Sequence, residues 1–237
     1  MSLTEEQKKQ IEKQLNAHNH EGYKRDILIS DDLILRGFSV HKNAMRPEMM
    51  TSLILAKWLF FNNGLYRGKS FLDIGCGTGI QGIVAGLSGA NKIVFSDISD
   101  AAIENAKENV KIFDLAKKSK VIKGDLFEGI KEKFDLIVFN HPFFSDHPFE
   151  KFKVSGTMLG GSRGELLSRF LREAKNYLKD EGKIIMPYFK LAGPINDPEI
   201  QAPKEGYNVE VKFNSEIKTG LQQGQVTISE LILQKRK

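Results

Sequence analysis

Short apolar runs and segments with helical spacing follow one another through most of this chain, and they predict strands and helices in turn. Short apolar runs typical of buried strands occupy 70–74, 92–96, 120–123, 134–139 and 183–188. Segments with helical spacing occupy 80–88, 99–113 and 162–179. This alternation predicts parallel strands joined by right-handed crossovers, with helices on both faces of one sheet.

The residues before the first of these strands follow a different pattern. Residues 4–18 have the spacing of a polar, weakly amphipathic helix, and 27–35 predict two short strands about a polar turn. Pro47 suits the first turn of a helix, so we expect a helix to begin there. We therefore expect a helix and hairpin extension over 1–45, followed by one main domain over 46–237.

The last part of the chain alternates between apolar and polar residues. Two such segments, 207–213 and 225–233, are separated by glycine-containing sequence, which predicts an antiparallel hairpin that closes one edge of the sheet. Before this hairpin, residues 192–203 hold three of the seven prolines. That composition favours a surface loop.

Composition narrows the class of protein without identifying it. The chain has 237 residues, of which 41% are hydrophobic and 27% charged, which is ordinary for a globular domain. Its single cysteine excludes an internal disulfide and favours a reducing, cytoplasmic location. No apolar run approaches the ~20 residues of a membrane span. The net charge of +5 is mild, and the densest basic stretch, 107–123, lacks the interleaved aromatic residues of a nucleic-acid stacking surface.

A glycine-rich turn follows the first strand of the main domain. The sequence Phe71-Leu-Asp-Ile-Gly-Cys-Gly-Thr-Gly79 passes from an apolar run through an acid to three alternating glycines, and then into a helical pattern. Glycine permits a sharp turn and lets a ligand lie directly on the backbone. The pattern is typical of a strand that turns beneath a nucleoside.

Three later strand ends carry polar side chains that fit the same ligand. Asp97 ends the second strand, Asp125 follows the third and Asn140 ends the fourth. Ligands of open parallel sheets bind beyond the carboxyl ends of the strands, where Asp97 can accept hydrogen bonds from ribose hydroxyls and Asp125 from the exocyclic amine of adenine. If only one of these two acids were present, its interpretation as a helix cap or a turn residue would be favoured. Their register with the glycine turn favours a nucleoside site.

A dinucleotide enzyme is the first alternative, because Gly77-Thr-Gly-Ile-Gln-Gly82 also matches the pattern G-x-G-x-x-G. Two features argue against it. Asp73 precedes the turn, where a carboxylate would repel a pyrophosphate and would suit the ammonium group of an amino acid instead. Nothing in a nicotinamide oxidoreductase explains the sequence Asn140-His-Pro-Phe143.

Together these motifs resemble those of class I S-adenosylmethionine-dependent methyltransferases, over residues from about 46 to 237. Asn140-His-Pro-Phe143 is similar to the Asn-Pro-Pro-Tyr/Phe signature of enzymes that methylate a planar nitrogen. Gly124-Asp-Leu-Phe-Glu128, Gly160-Gly-Ser-Arg-Gly164 and Arg46-Pro-Glu48 look like segments of the glutamine methyltransferases of translation release factors. The resemblance implies an α/β fold with a seven-stranded mixed sheet of the Rossmann-like methyltransferase type, helices on both faces and a small N-terminal extension.

The same resemblance implies S-adenosyl-L-methionine as cofactor and assigns residues to two roles. The cofactor site would comprise Asp73, Gly75, Gly77, Gly79, Asp97, Ile98, Asp125, Leu126 and Asn140. The catalytic motif would comprise Asn140, His141, Pro142 and Phe143. No metal is implied, since the five histidines show no ligand spacing with Cys76.

The chemistry of a planar nitrogen indicates how the catalytic motif works. The lone pair of such a nitrogen is delocalised, so the enzyme must hold both N–H bonds for the lone pair to face the sulfonium methyl. The Asn140 side-chain oxygen and the backbone carbonyl of His141 can supply two acceptors, and Phe143 can stack on the planar group. His141 replaces the usual first proline, but Pro142 still restrains residue 141 to extended conformations. A base role for His141 is a minor alternative, because amine methylation seldom needs one.

We therefore expect a cytoplasmic N-methyltransferase that acts on a glutamine amide of a translation protein. The alternative substrate is an exocyclic amine of a base in RNA or DNA. A binding protein that has kept only the cofactor pocket is a further class, which turnover alone can exclude. No membrane partner is expected, and the sequence is compatible with a small activating subunit without indicating one.

Overall fold

The computed structural model describes residues 20–144, 164–218 and 223–234, together with six single positions before residue 20. Those six positions, 5, 8, 9, 12, 13 and 16, are all helical. The rest of the helix predicted over 4–18 lies outside the described residues, as do residues 162–163 of the helix predicted over 162–179.

From residue 20 onward, the described residues contain nine strands and five α-helices. The strands are β1 (Tyr23–Ser30), β2 (Leu33–Val40), β3 (Ser70–Ile74), β4 (Lys92–Asp97), β5 (Ser119–Lys123), β6 (Phe134–Phe139), β7 (Leu178–Phe189), β8 (Tyr207–Lys218) and β9 (Gln223–Leu233). The helices are α1 (Met50–Phe61), α2 (Ile80–Leu87), α3 (Asp100–Ile112), α4 (Glu165–Ala174) and α5 (Pro198–Gln201). Within the described part of the chain, none of these helices is long and apolar enough to cross a membrane.

Seven of the strands form one mixed sheet in the order β5-β4-β3-β6-β7-β9-β8. The strands from β5 to β7 in that order run parallel, and β9 is antiparallel to both β7 and β8. This confirms the predicted mixed sheet with a C-terminal hairpin at one edge. The chain builds outward from β3 in one direction and then returns to add β6 on the other side, so the crevice for a ligand lies beyond the ends of β3, β4 and β6.

Side chains that alternate along the strands build a hydrophobic core on each face of the sheet. Phe71 and Phe95 face the core beneath α1, α2 and α3, whereas Leu72 and Ile74 face the core beneath α4. The separate two-stranded hairpin of β1 and β2 shares the first core through Ile27, Ile29, Leu35, Phe38 and Val40. Because full burial of such a side chain contributes roughly 1.5–3 kcal/mol, the hairpin is an integral part of that core.

The boundary between α4 and β7 differs from the sequence prediction. The helix ends at Ala174 and β7 begins at Leu178, whereas helical spacing continued to residue 179. The pairing of β6 with β7 shifts register near its start, and a side chain at Gly182 would lie 2.8 Å from the Phe134 carbonyl oxygen. Since this irregular start is exposed and polar, it lacks the apolar run that marks the rest of β7.

Two further predictions about the chain are wrong in detail. The helix expected to begin at Pro47 begins at Met50, because Pro47 and Glu48 form a turn before it. Residues 192–203 are not a surface loop throughout, since they contain α5 and the fully buried Asn196. Proline content indicated irregular backbone there but gave no sign of a buried polar side chain.

Candidate active site

A cavity of about 580 Å³ opens beyond the carboxyl ends of β3, β4 and β6. Its wall draws on residues from the segments that follow β2, β3, β4, β5 and β6, and α4 contributes Leu166 and Arg169. Cavities that bind small molecules and cofactors typically measure about 300–1,000 Å³. The crevice predicted from strand order is therefore a cavity of the size that a nucleoside cofactor needs.

Most of the predicted site residues come together around this cavity. Its lining includes Asp73, Gly75, Gly77, Asp97, Ile98, Asp125, Leu126, Asn140 and Pro142. Three predicted residues, Gly79, His141 and Phe143, are not part of the lining. The cofactor set is thus nearly complete at the cavity, whereas the catalytic motif is divided between the cavity and the core behind it.

The glycines in the turn after β3 and at the start of α2 serve two different purposes. Gly75 and Gly77 have left-handed backbones, with φ of +60° and +53°, and a Cβ added to Gly77 would meet nothing within 4 Å. A ligand can therefore approach the backbone of Gly77 closely. At Gly82 a Cβ would lie 2.2 Å from the Phe95 ring, so this glycine permits α2 to pack on β4. The literal G-x-G-x-x-G match thus ends on a helix-packing residue.

Two buried carboxyl groups stand beside the turn. Asp73 is 1% exposed, and its Oδ2 accepts a hydrogen bond of 3.0 Å from the Gly82 amide. Asp97 accepts from the amides of Gly77 (3.0 Å) and Ser99 (2.9 Å). Burial raises the pKa of Asp73 well above its usual range, with a smaller contribution from Asp97, and burial also raises the pKa of Asp97. Each carboxylate oxygen keeps a further lone pair for a ligand's hydrogen.

Asp125 and Leu126 form the wall after β5, and each has an unexpected feature. The Asp125 Oδ1 atom lies 2.5 Å from Nη2 of Arg169 on α4, and both side chains are about 40% exposed (40% and 44%). Leu126 has a left-handed backbone with φ of +52°, which costs about 1–3 kcal/mol for a residue other than glycine. Its carbonyl accepts a hydrogen bond from Ser96 Oγ at 3.0 Å. Arg169 is a cavity residue that we did not predict.

Asn140 presents an unsatisfied acceptor at the end of β6. Its Nδ2 donates to Ser52 Oγ at 2.9 Å, and its Oδ1 is buried without a hydrogen-bond partner among the described residues. Leaving a buried acceptor unpaired costs about 1–3 kcal/mol, so the arrangement requires an explanation. Ser52 also anchors Gln81, whose Nε2 donates to the Ser52 carbonyl at 3.0 Å. Sequence reasoning missed both residues, although Gln81 is the one polar side chain in the otherwise apolar helix α2.

His141 and Phe143 turn away from the cavity. His141 is 1% exposed, its Nε2 lies 2.8 Å from the Asn196 carbonyl oxygen, and burial lowers its pKa to about 4. Phe143 is buried in an aromatic cluster with Phe144 and Tyr188. The stacking role expected for Phe143 and the base role considered for His141 therefore have no support in this arrangement, because neither ring reaches the cavity.

The segment that joins the hairpin to α1 forms a wall that we did not predict. His41, Lys42, Asn43, Ala44, Met45 and Pro47 all line the cavity. Two buried asparagines of α3 hold the end of β2: Asn109 Oδ1 accepts from the Ser39 amide and Asn105 Oδ1 from the His41 amide, both at 2.9 Å. Asn109 Nδ2 also donates to the Thr78 carbonyl in the glycine turn (2.9 Å). The wall and the turn are therefore fixed to the same helix.

The fold and this cavity together define a protein class, the S-adenosylmethionine-dependent methyltransferases. Residues 50–190 match the family described as Methyltransferase small domain, and the chain belongs to that family. S-adenosylmethionine is accordingly its cofactor. The open backbone at Gly77 and the buried acceptors of Asp73 and Asp97 fit that molecule, which carries an adenosine and an amino-acid ammonium group.

Curated relatives and solved structures agree with this assignment. A Methanocaldococcus jannaschii protein named for a proposed protein N5-glutamine methyltransferase activity is 38% identical over 157 residues, 65% of this chain and 76% of its own. The release factor glutamine methyltransferase of Borreliella burgdorferi is 31% identical over 201 residues, 78% of this chain and 67% of its own. The T. thermophilus 16S rRNA N2 G1207 methyltransferase, solved with AdoMet and guanosine, shares the fold with a TM-score of 0.60 at 17% identity, over 90% of this chain and 50% of its own.

Proposed function

We propose that this enzyme methylates the side-chain amide nitrogen of a glutamine in a protein of the translation machinery, such as a release factor. The observation that carries the proposal is the Oδ1 of Asn140 at the cavity wall, which has no partner within residues 20–144 and the later described segments and is suited to accept an N–H of a planar amide. The names of the two relatives above give the substrate class.

The proposed reaction needs positioning more than acid–base chemistry. S-adenosylmethionine supplies an electrophilic methyl group on a sulfonium. The Asn140 side-chain oxygen, which lines the cavity, would accept one N–H bond of the amide and so turn its lone pair toward the methyl group. The backbone carbonyl of His141, expected from the sequence as a second acceptor, belongs to a residue outside the lining. The S–CH₃ bond would break as the N–CH₃ bond forms, S-adenosylhomocysteine would leave, and one N–H proton would pass to water. Holding two reactants in this way can supply roughly 7–11 kcal/mol of the barrier. Pro142, whose ring restrains residue 141, lines the same wall.

We assign the cofactor contacts from the chemistry of each group at the wall. Asp73 would bind the ammonium of the methionine moiety, Asp97 the ribose hydroxyls and Asp125 the adenine amine. Ile98 is 66% exposed at the cavity and, with Leu126, would pack on the adenine ring. A cationic group beside Asp73 would favour its carboxylate and would return its raised pKa toward the usual value.

Residues 1–45 would contribute to the surface that recognises the protein around the glutamine. Support comes from the end of the hairpin, since residues 41–45 line the cavity while β1 and β2 remain partly exposed. The division between residues 1–45 and 46–237 would then separate substrate recognition from catalysis. It would not separate two folding units, because the two parts share a core. A cytoplasmic location is part of the same proposal.

A transfer experiment tests the substrate class. The purified protein is incubated with S-adenosylmethionine carrying a labelled methyl group and with separated protein and RNA fractions of its host, and the Asn140→Ala variant serves as the matched control. We expect label that survives ribonuclease, disappears with protease and maps to a glutamine by mass spectrometry. Label in a methylated adenine or guanine would overturn the proposal in favour of the nucleic-acid alternative.

A further inference from the structure

The loop that follows Asn140 is tied to a distant segment by a pair of reciprocal hydrogen bonds. His141 Nε2 lies 2.8 Å from the Asn196 carbonyl oxygen, and Asn196 Nδ2 donates back to the Phe143 carbonyl at 3.1 Å. The two partners are separated by more than fifty residues in the chain and both are buried. We call this pair of bonds the loop bracket.

The direction of the first bond fixes the state of the imidazole. A carbonyl oxygen can only accept, so the proton must lie on Nε2 of His141, and Nδ1 carries a lone pair. Nδ1 is buried and has no partner among the described residues. A second proton there would place an unpaired charge in the core, which explains why burial lowers the pKa of this histidine to about 4.

The ring of His141 is also held from the side. It stacks on Tyr188 with ring centroids 5.8 Å apart and an interplanar angle of 12°. The Tyr188 hydroxyl donates to the Gly193 carbonyl, in the same segment as Asn196. The end of β7 and the segment after it therefore hold His141 both by stacking and by hydrogen bonding.

We propose that His141 is a positioning residue, which holds the backbone beside Asn140 through the loop bracket with Asn196. This inference rests on the proposed role of Asn140 in binding the reacting nitrogen. Pro142 restricts the backbone of residue 141 but leaves that of Asn140 free. The loop bracket supplies the missing restraint, because it fixes the residue next to Asn140 at its side chain and the loop again at the Phe143 carbonyl.

Positioning at this place has a direct consequence for turnover. The proposed acceptor, the Asn140 side chain, belongs to the residue directly before His141, so a small shift of the loop moves it. A displacement of about 1 Å at a reacting group can cost roughly a hundredfold in rate. The cofactor contacts on β3, β4 and β5 lie on other segments and should not respond.

The test compares two replacements of the same ring. His141→Phe keeps an aromatic ring to stack on Tyr188 but removes the N–H donor, whereas His141→Gln keeps an N–H donor at similar reach. We expect His141→Phe to lower kcat by roughly ten- to a hundredfold with KM nearly unchanged, and His141→Gln to retain most of the activity. Affinity for S-adenosylhomocysteine, measured by calorimetry, should stay within about threefold in both variants.

The matched control is Tyr207→Phe. It also removes one buried hydrogen bond to a main-chain carbonyl, from Tyr207 to Leu171 at 2.8 Å, but on the far side of the α4 core. We expect a comparable loss of thermal stability with normal kcat. If Tyr207→Phe and His141→Phe lowered kcat equally, or if folded His141→Phe kept full activity, the inference would be wrong.

Two further measurements distinguish a positioning role of His141 from a role as a base. They also keep this inference separate from the proposed glutamine substrate. The pH profile of kcat in His141→Phe should parallel that of the wild type above pH 5, since a positioning residue donates no proton in the reaction; a lost inflection would assign a base role instead. In ¹⁵N spectra of the wild type, His141 should keep its Nε2 proton from pH 5 to 8, and titration in that range would overturn the loop bracket. Because the kinetic comparison uses whichever substrate is methylated, a nucleic-acid product would refute the proposed function and leave this test intact.

Discussion

Removal of the Asn140 side chain should lower the rate of methyl transfer without lowering the stability of the fold. Asn140→Ala deletes the buried Oδ1, which is unpaired in the part of the chain that the structure describes, and also the 2.9 Å hydrogen bond to Ser52 Oγ. The lost hydrogen bond is worth about 0.5–1.5 kcal/mol, and removal of the unpaired acceptor returns about 1–3 kcal/mol. The ligand-free variant should therefore be as stable as the wild type or slightly more stable.

The effect of Asn140→Ala on turnover should be large. If Oδ1 binds the reacting nitrogen, Asn140→Ala removes a placed polar group whose loss typically costs about 2.7–4 kcal/mol in the transition state, or roughly a hundred- to a thousandfold in kcat. Affinity for S-adenosylhomocysteine should change by less than about threefold, because the assigned cofactor contacts lie on other side chains. Ser52→Ala gives a graded comparison, since it removes only the anchor of Asn140 and keeps the carbonyl that holds Gln81. It should lower kcat by about two- to twelvefold.

Three measurements check this reasoning together: chemical denaturation, calorimetry with S-adenosylhomocysteine and initial rates of methyl transfer. The double variant that combines Ser52→Ala with Asn140→Ala should be no slower than Asn140→Ala alone, because Ser52 is proposed to act through Asn140. A loss of more than about 2 kcal/mol of stability in Asn140→Ala would show that Oδ1 has a structural partner. Equal losses of kcat and of cofactor affinity would assign Asn140 to the cofactor instead of the substrate.

Three other changes test the surrounding wall. Asp97→Ala should weaken S-adenosylhomocysteine binding about ten- to a hundredfold or more by calorimetry, since each hydrogen bond to a charged group contributes about 1.5–3 kcal/mol; unchanged affinity in a folded variant would refute its role. Burial raises the folded-state pKa of Asp73 above that of the unfolded chain, so its ionisation weakens the native state as the pH rises through that interval. Denaturation should therefore show Asp73→Asn to be more stabilising, relative to wild type, at pH 8 than at pH 5, and the opposite trend would contradict the assignment. Arg169→Ala should change the unfolding free energy by less than about 1 kcal/mol, because its pair with Asp125 is close to half exposed; a larger loss would indicate a buried partner.

The parts of the fold that local patterns encode were predictable from the sequence. The strands at 70–74 and 134–139 coincide with β3 and β6, because each is a short buried apolar run with a clear end. The acids at strand ends converge on one cavity because parallel strands place their carboxyl ends at one edge. Position at a strand end was therefore enough to locate Asp73, Asp97 and Asp125.

Contacts between distant segments were not predictable in this way. Asn140 and Ser52 are 88 residues apart in the chain, and neither local pattern indicates the other. His141 stands in a polar-looking loop motif, yet the stack on Tyr188 and the bond to Asn196 place it in the core. A histidine at a strand end looks the same in sequence whether its ring faces solvent or a neighbouring strand, because tertiary packing decides between the two.

Several unfavourable features of this structure lie at the cavity. Asp73 and Asp97 are buried acids with raised pKa values, Leu126 has a strained backbone and Asn140 keeps an unpaired acceptor. The end of the hairpin beside them has satisfied polar groups at Ser39, because Asn109 pairs with both the amide and the carbonyl of that residue. Asn109 also pairs with the Thr78 carbonyl. Local costs of this kind persist where the surrounding structure enforces them and a ligand offsets them.

This distribution bears on how the cofactor and the hairpin act together. A ligand with a cationic group and several N–H and O–H donors would satisfy the buried acids and should stabilise the fold by mass action. Asn109 joins the glycine turn to the end of β2, so a shift of the turn on cofactor binding would be passed to the wall at residues 41–47. A protein substrate that contacts the hairpin would then meet a surface whose shape depends on the cofactor. Binding of the two should accordingly be cooperative, and by linkage each should raise the affinity of the other by the same factor.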